Sequence, residues 1–294
     1  MATRGKKKAT TRKKATRKRK IEKREPILMC VCGKKGVGKT YQTKRSLSSY
    51  VKGNPKTGAK PRKVLIYDVN MEYTDYKTIS AKDVARYSRH PKAEIRRVLP
   101  VDPDSGKILH IDQMVDMLNM ILENFRGGLL LLEDINRYLI QARSTEVIGA
   151  IATNRHRDLD IIAHFQSLAP LDPRMWQNTQ VVRFHKQIDD VKRYKARIPN
   201  YEMFALAQCL VDYMVLEKNK KRFYCFVSNE DNFIAGDYTK SDFDAACLEY
   251  MRRHSKELND AMKMHDGTKE HKKDAAIKEI TSTLTRKYFR GKRG

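Results

Sequence analysis

Residues 27–40 read ILMCVCGKKGVGKT, so Gly33, Gly38, Lys39 and Thr40 occupy the fixed positions of G-x-x-x-x-G-K-[ST]. The pattern carries a mechanism. An apolar strand over residues 27–32 delivers the chain to one point, and the loop that follows turns successive backbone N–H groups inward around phosphate oxygens. Lys34, Lys35 and Val37 lend amides to that cradle, while Gly36 and Gly38 supply unusual dihedrals and close backbone approach. Lys39 then reaches the β and γ phosphates of ATP, and the Thr40 hydroxyl is placed to ligate Mg²⁺. A helix starting near Lys39 aims its positive end at the anion. A Gly/Lys-rich turn can match four positions by accident, but a match set between an apolar hexamer and a helical pattern is much rarer.

Phosphoryl chemistry also needs carboxylates, one to hold a metal and one to orient water. Residues 129–132 are four leucines, followed at once by Glu133 and Asp134. A strand ending in two adjacent acids provides both groups, although an acid pair capping a helix would read the same. From order alone, Glu133 goes to the metal with Thr40, and Asp134 goes to the water. An apolar strand over residues 63–68 runs into DVNMEY at 68–73, acids at the C-terminal edge of a parallel strand, where open sheets bind ligands. An ordinary polar loop would look similar. A further strand over residues 159–165 ends at Gln166, preceded by Arg155 and Arg157 in NRHR.

These residues need a frame. The periodicity predicts helices over 40–51, 111–125, 144–157, 187–196 and 201–216, with charged helix from Ser241 onward. The Val-rich end of 201–216 also reads as strand. Strands are expected over 63–68, 94–99, 129–132, 159–165, 181–184 and 222–227. Continuous apolar strands alternating with helices make an α/β fold with a mostly parallel central sheet flanked by helices. The expected organisation is a disordered basic arm over 1–25, an ATPase domain over 26–236 and a charged helical C-terminal extension over 237–294.

The chain has 294 residues and a formal charge of +26, which calls for a polyanionic partner, nucleic acid or a membrane surface. It contains no run of eighteen apolar residues and no secretory h-region at its start. Its five scattered cysteines read as free thiols in a reducing compartment. Cys30 and Cys32, lacking a second cluster, read as small buried hydrophobes and not as a zinc site. Residues 1–25 hold thirteen Lys or Arg against two Glu, too little apolar content to order the segment. It reads as an arm for nucleic acid; a solvated tail or a localisation signal has the same composition.

Four pieces together resemble the HerA/FtsK superfamily of P-loop ATPases that pump DNA, which includes viral genome-packaging ATPases and phage Zot-like proteins. They are GKKGVGKT at 33–40, DVNMEY at 68–73, LLLLED at 129–134 and NRHRDLDIIAHFQ at 154–166. The resemblance implies a RecA-like sheet, a homo-oligomeric and hexameric ring, ATP hydrolysis at subunit boundaries and double-stranded DNA as the polymer. It implies Gln166 as γ-phosphate sensor and Arg155 or Arg157 as an arginine finger reaching a neighbour. The same arginines suit a helix C-terminus, where cations offset the dipole. The Glu133–Asp134 order reverses the usual Asp then Glu. The length and the lack of membrane segments favour a stand-alone viral or mobile-element ATPase, in the host cytoplasm or on the virion, with a virion or portal partner. Two rivals stand beside it: an assembly protein that uses ATP as a switch, and a nucleotide kinase, which needs more clustered arginines than Arg155 and Arg157.

Overall fold

Buried continuous strands dominate the computed structural model, which describes residues 24–135, 144–168, 171 and 173–292. Apart from Arg24 and Glu25, the basic arm lies outside the described residues. In chain order the strands are β1 (Leu28–Cys32), β2 (Lys63–Tyr67), β3 (Lys77–Thr78), β4 (Ile95–Val98) and β5 (Gly128–Leu132). They continue with β6 (Asp160–Phe165), β7 (Val181–His185), β8 (Tyr224–Ser228), β9 (Phe233–Thr239) and β10 (Phe289–Lys292). They form one sheet in the order β10-β9-β8-β7-β1-β6-β5-β2-β4-β3. β8 alone runs against the rest, pairing antiparallel with β7 and β9. The other pairings are parallel, so nearly all strands end at one edge.

The strands read as unbroken apolar runs because both faces are covered. Alternate residues turn to opposite sides. Cys30, Cys32, Leu65, Tyr67, Leu130, Leu132, Ile161 and Ala163 join the larger core. Val31, Val64, Ile66, Leu129, Leu131 and Ile162 join a smaller one together with Leu47. Leu47 belongs to α1 (Lys39–Lys52), which buries Thr43 and Leu47 one turn apart. On the larger side, α2 (Val84–Arg89) buries Val84 and Tyr87, and α3 (Ile111–Asn124) buries Met114, Val115, Leu118, Ile121 and Leu122. Then come α4 (Ser144–Ala152), α5 (Pro173–Asn178) and α6 (Tyr201–Leu216). The last is buried almost all round, helical through its Val-rich end.

The chain departs from expectation in three places. Residues 187–196 form no helix, only a 3₁₀ turn at Val191–Tyr194. Long-range bonds hold the segment open: Gln208 of α6 accepts from the Val191 N–H and donates to the Asp189 carbonyl. The helix expected to run to residue 157 stops at Ala152, followed by a 3₁₀ turn at Asn154–Arg157 and by Asp158 at φ 49°. The C-terminal segment is more than charged helix. α7 (Lys240–Arg253) buries Phe243, Ala246, Cys247, Tyr250 and Met251 in the main core. After α8 (Ser255–Met262) and α9 (Lys269–Tyr288), β10 returns to the sheet and pairs with β9. All five cysteines are free and buried. Among the described residues, no helix is long and apolar enough to cross a membrane.

Candidate active site

β1 is central, between β6 and β7, and its C-terminal end opens into the glycine loop. Gly36 and Gly38 take φ 82° and 89°, the left-handed region that a side chain would strain. Gly33 is small for another reason: a methyl there would lie 2.6 Å from the Cβ of His185. The Lys34 N–H donates to the Lys186 carbonyl at 2.9 Å, and Val37 is buried, so the loop is braced from β7. α1 begins at Lys39 with no acid in its first turn and no side-chain cap. Its first N–H groups therefore keep their donor capacity for an anion. The Lys39 ammonium donates to the carbonyls of Gly33 and, at 2.9 Å, Lys34. Burial pulls its pKa down, against an upward pull from Cys32, Asp134, Glu72 and Glu133.

The ends of β2, β5 and β6 add the acids and the amide. A cavity of about 610 Å³ is lined by Lys39, Thr40, Glu72, Glu133, Asp134 and Gln166 among others. The sheet thus gathers the loop, the acid pair and the glutamine. Thr40 Oγ1 donates to Glu72 Oε2 at 3.1 Å. Glu72 is placed by Asp68, whose carboxylate accepts from the Glu72 and Tyr73 N–H groups at 2.9 and 3.1 Å and from Arg97 at 3.0 Å. Glu133 is buried, and its carboxyl is held far above the usual carboxylate range by that burial and then by Glu72 and Asp68. Asp134 sits at φ 43°, and Gln166 Nε2 lies 3.4 Å from each of its carboxylate oxygens.

Arg155 and Arg157 are not in this group. They precede β6, at the opposite end of the strand from Gln166, and Arg155 lies 3.9 Å from Glu25. In this chain they serve no part of their own cavity. Conversely, Glu72, Arg222 and His164 line the cavity without having been singled out as site residues from the sequence. Glu72 was visible only as part of DVNMEY. Arg222 comes from the segment before β8; it lies along Gly38, with its guanidinium 5.6 Å from the Tyr41 ring. The basic start of RFYCFV was its only sequence signal. His164, two residues before Gln166, also lines the cavity and shares a hydrogen bond with Thr43 at 2.9 Å. Burial first, and then Arg183 and Lys39, push its pKa well down, so it is neutral.

The donor set fits a hard divalent cation. Thr40 Oγ1, Glu72 and Glu133 offer oxygen only, and anions crowded enough to hold a proton on Glu133 are those a cation would relieve. Among the described residues, no group of three or more His, Cys, Asp or Glu makes a self-sufficient metal site. Mg²⁺ bound mainly through phosphate oxygens and one or two side chains does not need one.

No protein-family model matches the chain, and no curated protein matches it in sequence. Solved structures do. The genome-packaging NTPase B204 of Sulfolobus turreted icosahedral virus 2, in complex with ATPγS, is similar at 15% identity and TM-score 0.48, over 71% of this chain and 95% of that one. B204 described as the DNA-packaging ATPase of Sulfolobus turreted icosahedral virus is similar at 15% identity and TM-score 0.48, over 72% and 97%. The N-terminal domain of zonular occludens toxin from Neisseria meningitidis is similar at 19% identity and TM-score 0.34, over 54% and 76%. At such identities and scores, the functions of those proteins do not transfer. The α/β fold with its mostly parallel sheet stands on the chain's own strand order, and the shape of the glycine loop on its own dihedrals.

Proposed function

We propose that the chain is an Mg²⁺-dependent P-loop ATPase that works on nucleic acid as a DNA-translocating or genome-packaging motor. One observation carries the ATPase reading: the glycine loop, Lys39, Thr40, the Glu133–Asp134 pair and Gln166 line a single cavity at the C-terminal edge of the sheet. Lys39 would draw charge from the β and γ phosphates. Thr40, Glu72 and Glu133 would hold Mg²⁺, which supplies charge neutralisation at those oxygens. Asp134 and Gln166, 3.4 Å apart, are the pair to place the attacking water and report the γ-phosphate. The motor reading rests on the charge of +26 and on the arm's thirteen cations, together with the placing of Arg155. Its side chain is about half exposed and remote from its own cavity, beside Glu25, and in a ring it would enter a neighbour's cavity. An arginine supplied in trans is worth roughly 10³–10⁵ in rate.

Duplex DNA should stimulate ATP turnover by the full chain. Slow turnover that DNA leaves unchanged would favour an assembly switch, and turnover that waits for a nucleotide acceptor would favour a kinase. Deleting residues 1–25 should weaken DNA binding alike for unrelated sequences, since phosphate contacts carry no base information. It should also flatten the log–log salt dependence by roughly 4 to 5 if about five cations sit on phosphates. An unchanged slope would take the arm off the DNA.

A further inference from the structure

Under the first turns of α1, the sheet is not apolar. Val31 of β1 is in register with His164 on one side and Arg183 on the other, so a polar row crosses the face that α1 covers. Thr43, buried on the underside of α1, joins them: Arg183 donates to its hydroxyl, and His164 shares a hydrogen bond with it. Arg183 also reaches the carbonyl of Lys39 at 3.4 Å. Its guanidinium is 5.8 Å from the Tyr224 ring, and its Nε has no hydrogen-bond partner among the described residues.

Arg183 is among the largest fully buried side chains, at 1% exposure, yet among the described residues no carboxylate pairs with it. Burial pulls its pKa down to about 10, which still leaves it charged at neutral pH. The imidazoles beside it cannot share that charge. His164 and His185 are both pushed down, His185 to about 3, by burial and then by Arg183. A buried guanidinium without an anion is a native-state penalty, and buried charges are ordinarily paired or neutralised. Here the charge lies against the backbone of Lys39, within the helical turn that opens on the phosphate loop.

We infer that Arg183 is a positioning residue for the phosphate site, a buried cation that braces the first turns of α1 and whose charge is balanced only by the anion bound on the far side of that turn. The inference rests on the loop being a nucleotide site. An anion that relieves a native-state penalty binds more tightly by the amount relieved, so part of the affinity for triphosphate is stored in the nucleotide-free fold. The contribution is electrostatic and belongs to the phosphates, not to the base.

The test compares the full chain with Arg183→Met and Arg183→Lys, measuring melting without ligand and affinity for ATP and for inorganic tripolyphosphate. Arg183→Met should melt no lower than the parent without ligand, and should bind both anions about 10- to 100-fold more weakly. A plain structural strut predicts the reverse: lower melting, with affinity within about two-fold. That result would overturn the inference. Should the Met variant melt lower and also bind weakly, or fail to fold, Arg183→Lys decides. It keeps the charge and loses the fork. Affinity near the parent's supports a counter-charge, and a loss comparable to that of Met overturns it. If the parent binds ATP and Arg183→Met binds it equally well, the inference alone falls. If the parent binds neither ATP nor tripolyphosphate, the nucleotide-site reading falls and takes the inference with it.

Discussion

β6 carries polar groups at both ends, and they are treated in opposite ways. At its start, Asp160 is almost fully buried and well supplied. It accepts from the Arg24 guanidinium, from the Ile27 N–H at 2.8 Å and from the Tyr50 hydroxyl at 2.5 Å. Tyr50 closes the last turn of α1, so this end ties helix, strand and chain entry together. At its finish, around His164 and Gln166, like charges gather. Glu133 is crowded by Glu72 and Asp68, and Arg183 shares a single threonine hydroxyl with a histidine. The satisfied end is a strut. The frustrated end holds cations and anions that a metal–triphosphate, carrying both signs, could complement. Proteins break local consistency where function demands it, and here the crowding gathers where β2, β5 and β6 end, beside Arg183 of β7.

The sharpest test of that division is Lys39→Ala. Turnover should fall by at least about 10³-fold, as for removal of a principal charge-stabilising donor. Melting should barely move, because among the described residues the ammonium bonds only to loop carbonyls. Normal hydrolysis would sink the assignment of the loop. Next in size are Glu133→Gln and Asp134→Asn, each expected to lower turnover by about 10²–10³-fold. Mg·ATP affinity sorts their roles. Tight binding by Asp134→Asn with loss of it in Glu133→Gln gives Glu133 to the metal and Asp134 to the water; the opposite pattern reverses them.

At the other end, Asp160→Ala should lower stability by roughly 2–4 kcal/mol, since it takes the acceptor from the Ile27 N–H and the Arg24 guanidinium and leaves Tyr50 to the Gly128 carbonyl. Chemical denaturation would read the loss, while turnover per folded molecule should be unchanged. A large fall in turnover would show that the two ends are not separate in function. A last test concerns pH. Folded Glu133 keeps a proton that the unfolded chain releases, so the native state binds more protons between the ordinary value of 4.5 and a folded value of about 9. Stability of the nucleotide-free protein should therefore decline as pH rises across that window, and Glu133→Gln should flatten the decline. Melting temperature against pH for both proteins gives the comparison; parallel curves would exclude the effect.

Much of this was legible in the residues because each signal was local. The glycine loop sits between an apolar run and a helix, four leucines lead into two acids, and Gln166 ends an apolar strand. What escaped depends on partners far along the chain. Glu72 meets Thr40 because Asp68 folds the intervening turn. Residues 187–196 have the charge pattern of a surface helix, but Gln208 competes for their backbone. β10, the short and basic FRGK, has no strand periodicity of its own. It forms because β9 offers an edge and because Tyr238 and Phe243 pack on Phe289. Arg183 stood in plain view within an apolar strand, but only register across β1 shows that it lies under the helix.

The central place of β1 bears on how the chain emerges from the ribosome. Its two neighbours in the sheet are β6 and β7, and β6 begins 128 residues after β1 ends. At synthesis rates of about 5–20 residues per second, the apolar LMCVC segment waits roughly 6 to 26 s before either flank exists to pair with it. β2, β4 and β5 can associate earlier, as one half of a sheet. β1 can take its place only when the second half arrives. The phosphate loop, encoded near the start, is thus among the last features of the nascent chain to be shaped.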